Sequence, residues 1–461
     1  MNVRIPLIEL RRSVAPWAAA VVLLAALAFL HLLSGPWTRG TALWTAQWTS
    51  MAMWTRYPLV FLWPLAVGLG ALQGLRDHRS RMPELLNSTP RPALHRAAAL
   101  AGPTAFALVT AFALVVALGA VRVLAGDASY AHLGWLPISL VGALAPAAGA
   151  LLGMGVARVL PSVLTPPVLA VGAFLLTSFL RQTTDGALPT SAVPNRLSLL
   201  SPTVAEARET LLTLSAPVHL GQALWFLGMA VTGLALSAAA GPRGRLLALA
   251  PLLAGGALAV LLFPSDPRGT YVLDRAAATQ VCDGRVCVTA ARGARLDRLA
   301  GPGEEALRLL RDALGDRAPV AVHEATLPRA LGETPERSPG LLLVDFDDGA
   351  IDGARGEALT RALVAQGLAP VCRPRSDTES GTLSDAAAQS IGAAWVLGGE
   401  PRPLDGTMHR AEDQDAVARP VWEEFTALPA AEQRSRIGAM HAAAVSCSGD
   451  PIEALTGGAP R

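Results

Sequence analysis

Seven runs of apolar residues, crowded into positions 1–263, constrain this chain more than any other feature. A hydrocarbon layer about 30 Å thick is crossed by about 20 consecutive apolar residues. The runs Val14–Leu33, Tyr57–Leu75, Ala97–Val123, Trp135–Leu160, Val163–Leu180, Leu220–Ala240 and Leu246–Phe263 meet or approach that length. Such spans are expected to be helices, because each helix satisfies its backbone N–H and C=O groups within its own segment. The fifth is the weakest: it is short, and Pro161, Pro166 and Pro167 crowd its start, so a re-entrant or broken helix is the alternative. The first is too long for the apolar core of a secretion signal, and "LLSGPW" after it offers no small-residue cleavage pattern. It is read as retained.

Charge divides the chain at the same place. Residues 1–263 carry 17 arginines and 7 acidic residues, whereas residues 264–461 carry 21 arginines and 29 acidic residues. Balances of opposite sign point to two environments. The expected fold is a membrane α-helical bundle of about seven transmembrane helices over residues 1–263, followed by a small extracytoplasmic α/β domain over 264–461. Arginine placement sets the orientation. An inside N-terminus leaves Arg4, Arg11, Arg12, Arg76, Arg79, Arg81, Arg91, Arg96, Arg158, Arg243 and Arg245 on the cytoplasmic side. The outer side keeps Arg39, Arg56, Arg122, Arg181, Arg196 and Arg208, and Trp37, Trp44, Trp48 and Trp54 fall in the first outer loop. Seven crossings then put the second half outside.

Two exclusions follow. The chain contains no lysine, and a P-loop needs its lysine to reach the β- and γ-phosphates, so no Walker-type ATP site exists on it. The spans also hold almost nothing ionisable at mid-depth: His31, Arg122 and Arg158 lie near span ends, and Gln73 and Gln222 are uncharged. That argues against an ion-coupled carrier and against a membrane-embedded hydrolase. The lysine-free, Ala-, Gly- and Arg-rich composition suggests a GC-rich bacterial coding sequence.

Between the second and third runs stands "RDHRSRMPELLNSTPRPALHR", Arg76 to Arg96. Pro83 suits a first helical position and Glu84 the positive end of the helix dipole. Pro90 ends that short helix, and Ser88 or Thr89 would cap the next. The plain interpretation is a positive-inside loop that sets topology. However, "MPELLNSTPRP" with its flanking arginines resembles the cytoplasmic coupling segment of type-2 ABC exporter permeases, and "IPLIELRRSVAPW" resembles their opening interfacial helix. The likeness covers roughly residues 1–240, and the seventh span and large outer domain depart from the usual six-span pattern. It implies that Arg79, Arg81, Glu84, Leu85, Leu86, Pro90 and Arg91 dock a separate ATP-binding subunit. It also implies a bilayer setting and pairing as a homodimer or with a related permease, with no nucleic acid involved and no cofactor.

In the second half, "YVLDR", "VCVTA", "PVAVHE", "LLLVDF" and "APVCRP" read as strands. "GEEALRLLRDALGD", "DGARGEALTRALVAQGL" (closed by Gly367), "VWEEFTALP" and "AAEQRSRIGAMHAAAVSC" read as helices. All four cysteines lie here, and an even number in a segment placed outside suggests disulfides. The favoured pairs are Cys282–Cys287, across a turn at "DGRV", and Cys372–Cys447, tying the last helix to a strand. Four cysteines allow three connectivities, and a zinc site is the rival. "VCDGRVCV" is similar to outer domains attached to actinobacterial ABC-permease-like proteins, which bring no chemistry with them.

Other signals point to structure. His323 and Glu324 start like a zinc-protease helix, but Leu327 stands where the second histidine belongs. "DFDDG" (Asp345, Asp347, Asp348, Gly349) reads as a strand-to-helix turn, and "AEDQD" as a solvated loop. His323, His409 and His441 are too scattered for a triad. No catalytic or metal residues are assigned. The expectation is a membrane subunit of an exporter; a permease-derived sensor or assembly protein without transport activity is the alternative, and an outward-facing membrane enzyme a third.

Overall fold

Most of the apolar runs fold as helix in the computed structural model, which describes residues 15–32, 47–79, 92–126, 128, 130–180, 195–203, 211–327, 334–335, 337–346, 348–372, 381–407 and 409–458. The chain divides into two compact units: the first runs to Val272, and the second comprises Leu273–Arg461 with the short stretches Arg39–Ala42 and Asp127–Tyr130. In the first, α1 spans Ala15–Leu32, α2 Trp48–Arg56, α3 Leu59–Gly74, α4 Ala93–Ala125, α5 Trp135–Val159, α6 Thr165–Phe179, α7 Ala216–Ala238, α8 Pro242–Leu247 and α9 Ala250–Leu262. Among the described residues, five helical stretches are long and apolar enough to cross a membrane: α1, α4, α5, α7 and Pro242–Leu262. The pair α2–α3 passes as a sixth only if taken together, and it is bent by 50°. At 15 residues α6 is the short apolar helix.

The middle of the bundle is α5, two-thirds of whose apolar window is buried (67%), against 17% for Pro242–Leu262 at the rim. Glycine makes that packing possible. A Cβ at Gly70 would lie 2.0 Å from Ala150 O, one at Gly153 2.1 Å from Val67 O, and one at Gly155 2.4 Å from Gly233 O. The backbones of α3 and α7 therefore touch α5 directly, the close approach that small residues permit where lipid removes the hydrophobic driving force.

Two expectations for this half are corrected. Trp48, Trp54 and Arg56 do not lie in an outer loop; they belong to α2, where Trp54 is 3% exposed and Arg56 fully buried. Helix α4 starts at Ala93 with Pro92 as its N-cap, not a serine or threonine.

The second unit is built on a four-stranded sheet in the order β1-β2-β3-β4: Gln280–Asp283, Val286–Thr289, Ala321–Glu324 and Leu341–Val344. Strands β1 and β2 form an antiparallel hairpin turned at Gly284, whose φ of +59° favours glycine. Strands β2, β3 and β4 are parallel. Helix α10 (Leu296–Leu314) links β2 to β3, and its Leu299, Leu307, Leu310 and Leu314 face the core. Helix α11 (Gly356–Leu368) follows β4, and α12 (Leu383–Leu397), α13 (Ala411–Thr426), α14 (Ala430–Ser446) and α15 (Pro451–Thr456) complete the unit.

Four details differ from the sequence reading. Gly367 lies inside α11 instead of ending it, because a Cβ there would meet Leu310 Cδ1 at 2.4 Å. Residues 369–372 of "APVCRP" form no strand. "AEDQD" is the first turn of α13, not a loop. Helix α12 was not anticipated, although Thr382 and Asp385 form a capping box at its start.

Candidate functional site

The most constrained polar group in the first unit is at the end of α2. This helix has nine residues, about 14 Å at 1.5 Å per residue, too short to cross a bilayer. Its side chains from Thr49 to Arg56 are all buried, and Trp48 stacks on Trp135 with ring centroids 5.3 Å apart. The chain then breaks at Tyr57–Pro58, where proline supplies no N–H to continue the ladder, and resumes as α3. Arg56 sits beside this break.

Arg56 Nη2 donates to Pro202 O at 2.8 Å and to Gln222 Oε1 at 2.9 Å. Gln222, fully buried on α7, donates in turn to Leu199 O at 2.9 Å and Ser201 O at 3.1 Å. Trp225, three residues further along α7, donates to Leu200 O at 3.1 Å. Four successive carbonyls, from Leu199 to Pro202, are thus held by side chains from α2 and α7. His219, one turn before Gln222, and Tyr271 both lie within electrostatic reach of Arg56. The outcome is a polar knot joining a discontinuous helix, an irregular turn and α7 inside an otherwise apolar bundle. In membranes, irregular backbone is tolerated where protein buries it or where it lines a cavity, and buried ionisable groups mark functional positions by default.

Counting arginines as loop charges missed this site. The segment "QWTSMAMWTR" is too polar to register as a span, so the sequence alone puts Arg56 in a connection. The only hint is the adjacency of Arg56 to the apolar run that begins at Tyr57.

The expected coupling segment lies almost wholly outside the described residues. Arg81, Glu84, Leu85, Leu86, Pro90 and Arg91 fall within 80–91, and Arg79 ends the single helical turn Arg76–Arg79 that follows α3.

In the second unit both expected cysteine pairs are disulfide-bonded. Cys282 and Cys287 face each other across the β1–β2 hairpin. Cys372–Cys447 ties the residue just past α14 to the segment after α11, rather than the last helix to a strand. Glu324, weighed as a zinc-site residue, instead pairs with Arg292 at 3.2 Å, with side-chain exposures of 2% and 7%. It also accepts a hydrogen bond from Thr289 N at 2.7 Å. Arg292 and Arg295 both lie over the Phe346 ring, at 5.3 and 5.0 Å. Asp348 caps the turn Gly349–Asp352 by accepting from Ala350 N at 3.0 Å, and burial raises its pKa above the ordinary carboxylate value. His409 bonds Gly381 O and His441 bonds Leu368 O. Burial lowers the pKa of His441. Among the described residues, no group of three or more His, Cys, Asp or Glu side chains is placed to hold a metal.

Neither a family model, a curated protein nor a solved structure matches the chain.

Proposed function

We propose that the chain is the membrane-spanning subunit of an ABC-type export system, driven by an ATPase on a separate polypeptide. The observation that carries the proposal is the Arg76–Arg96 stretch: five arginines and three prolines running from the end of the apolar helix α3 into the first turn of α4, on a chain without lysine. A chain with no P-loop of its own can use ATP only through a partner, and this stretch has the charge and the helix signals to dock one. The discontinuous α2–α3 element and its polar knot support the reading, because broken helices recur where transporters handle substrate. In this reading α2–α3 and α6 each cross the bilayer, making seven spans. The N-terminus is then cytoplasmic and the disulfide-bearing unit extracytoplasmic, the compartment in which disulfides persist.

The test is Arg81→Ala combined with Glu84→Ala. Truncating one partner of a buried charged contact costs about 2–5 kcal/mol, so co-purification of the cognate ATPase should weaken by roughly tenfold or more. Membrane insertion should survive, because Arg76, Arg79, Arg91 and Arg96 still hold the loop inside. A double variant that retains its ATPase at wild-type level means that the loop only sets topology, and the exporter reading then fails.

A further inference from the structure

A guanidinium presents five N–H donors in one plane. In Arg56 only Nη2 is used, on two neutral acceptors, Pro202 O and Gln222 Oε1. Nε and Nη1 have no hydrogen-bond partner, although the side chain is fully buried. Among the described residues no carboxylate pairs with it. A desolvated charge in this condition is expensive unless something of opposite sign compensates it.

The geometry of the unused donors decides what that something can be. A guanidinium grips both oxygens of a carboxylate or phosphate along one of two edges, Nε with Nη2 or Nη1 with Nη2. Both edges need Nη2, and the two protons of Nη2 are taken. The free N–H groups of Nε and Nη1 point to different sides, and each offers a bond to a single atom. The surroundings are tight: a Cβ at Gly142 would lie 3.0 Å from Arg56 Cγ and 2.6 Å from Phe112 Cζ. One turn earlier on the same face of α5, Ser139 is 8% exposed, and its hydroxyl has no partner. A small anion with one acceptor atom suits these donors better than a forked oxyanion does.

We propose that Arg56 forms the core of a binding site for one small monovalent anion, chloride being the simplest, with the Ser139 hydroxyl as a second donor. The bound ion neutralises the guanidinium while leaving its hold on Pro202 and Gln222 intact, and so secures the α2–α3 break to α7. The site does not depend on the exporter reading.

The full-length protein in nanodiscs of a zwitterionic lipid is heated in chloride and gluconate buffers of equal ionic strength. Ligand binding to the folded state raises the unfolding midpoint, so replacing gluconate by about 200 mM chloride should raise it by a few degrees. Bromide should act as chloride does, sulfate should not, and Arg56→Gln should abolish the response. A wild-type midpoint indifferent to chloride, or an Arg56→Gln protein that keeps the full response, overturns the site. If Arg56→Gln does not fold, equilibrium dialysis with radiolabelled chloride decides. Saturable binding near one ion per chain, weakened several-fold in Ser139→Ala, supports the site. No saturable binding, or unchanged affinity in Ser139→Ala, overturns it.

Discussion

Helix α5 of the first unit and helix α10 of the second both pack against the core of their unit, and they do so by opposite means. Helix α5 brings glycines to its neighbours: Gly149 meets Trp63, Gly153 meets the backbone of α3, and Gly155 meets the backbone of α7. Helix α10 brings leucines, with Leu299, Leu307 and Leu310 at or below 1% exposure around the sheet. In water, removing each large apolar side chain from solvent supplies the driving force. Between lipid chains that force is absent, and what remains is close packing and the pairing of polar groups.

The sharpest way to break this contrast is to add a side chain where backbones touch. Gly153→Val places Cβ only 2.1 Å from Val67 O, and neither backbone can yield without parting α3 from α5. We expect loss of the folded bundle, read as loss of a monodisperse peak in detergent. Gly172→Val on α6 has nothing within 4 Å of its Cβ and should be tolerated. The counterpart in the second unit is Leu310→Ala, which should cost about 2–5 kcal/mol of that unit's stability through the cavity it leaves. Should Gly153→Val fold as well as Gly172→Val, backbone contact is not what holds α5.

Reductant should separate the units next. Both disulfides lie in the second unit, and the first has no cysteine at all. In the chain-entropy account a bridge stabilises according to the loop it closes. For separations of 75 and 5 residues this gives about 4 kcal/mol for Cys372–Cys447 and about 2 kcal/mol for Cys282–Cys287. Calorimetry of Cys372→Ser/Cys447→Ser should show the larger drop in the second unit's transition, and Cys282→Ser/Cys287→Ser the smaller. The bundle's transition should stay in place in both. A shift of the bundle's transition would show that the units unfold as one.

The same contrast explains what could be read from the sequence. In the second unit the hairpin at "CDGRVC" and the continuous apolar run "LLLV" announce themselves locally, because turn chemistry and strand pattern are short-range. The start of α12 was equally local, in Thr382 and Asp385, and could have been found. Gly367 misled because glycine serves two ends: it can stop a helix, or it can admit a neighbour's side chain, here Leu310. In the first unit the apolar runs located the long helices, but not which faces meet, since that is settled by glycine positions on different helices. Arg56 was invisible for a related reason. Its burial depends on Pro202 and Gln222, respectively 146 and 166 residues away in the chain, and no local pattern records such a partnership.

The smallest effect concerns a half-buried carboxylate in the second unit, Asp348, for comparison with the fully buried Arg56 in the first. Burial raises the pKa of Asp348 above the ordinary carboxylate value, opposed in part by the hydrogen bond from Ala350 N. The folded state therefore holds this proton more tightly than the unfolded chain does. The stability it contributes is fully present below the ordinary carboxylate pKa and is lost as pH rises through the folded value. At neutral pH the ionised group is a net cost. Asparagine caps a helix about as well as aspartate and carries no charge. Asp348→Asn should thus stabilise the second unit at pH 7 by roughly a few tenths of a kcal/mol, the usual size for a change outside the core, read as a small rise in its unfolding midpoint. The two proteins should converge as the pH falls and Asp348 becomes protonated. Asp348→Ala, which removes the acceptor too, should lose about 1 kcal/mol in acid and somewhat less at pH 7, where the costly charge goes with it. If Asp348→Asn is instead destabilising at pH 7 and the gap closes in acid, the carboxylate is favoured as an anion, and Asp348 is held by a positive partner rather than by burial.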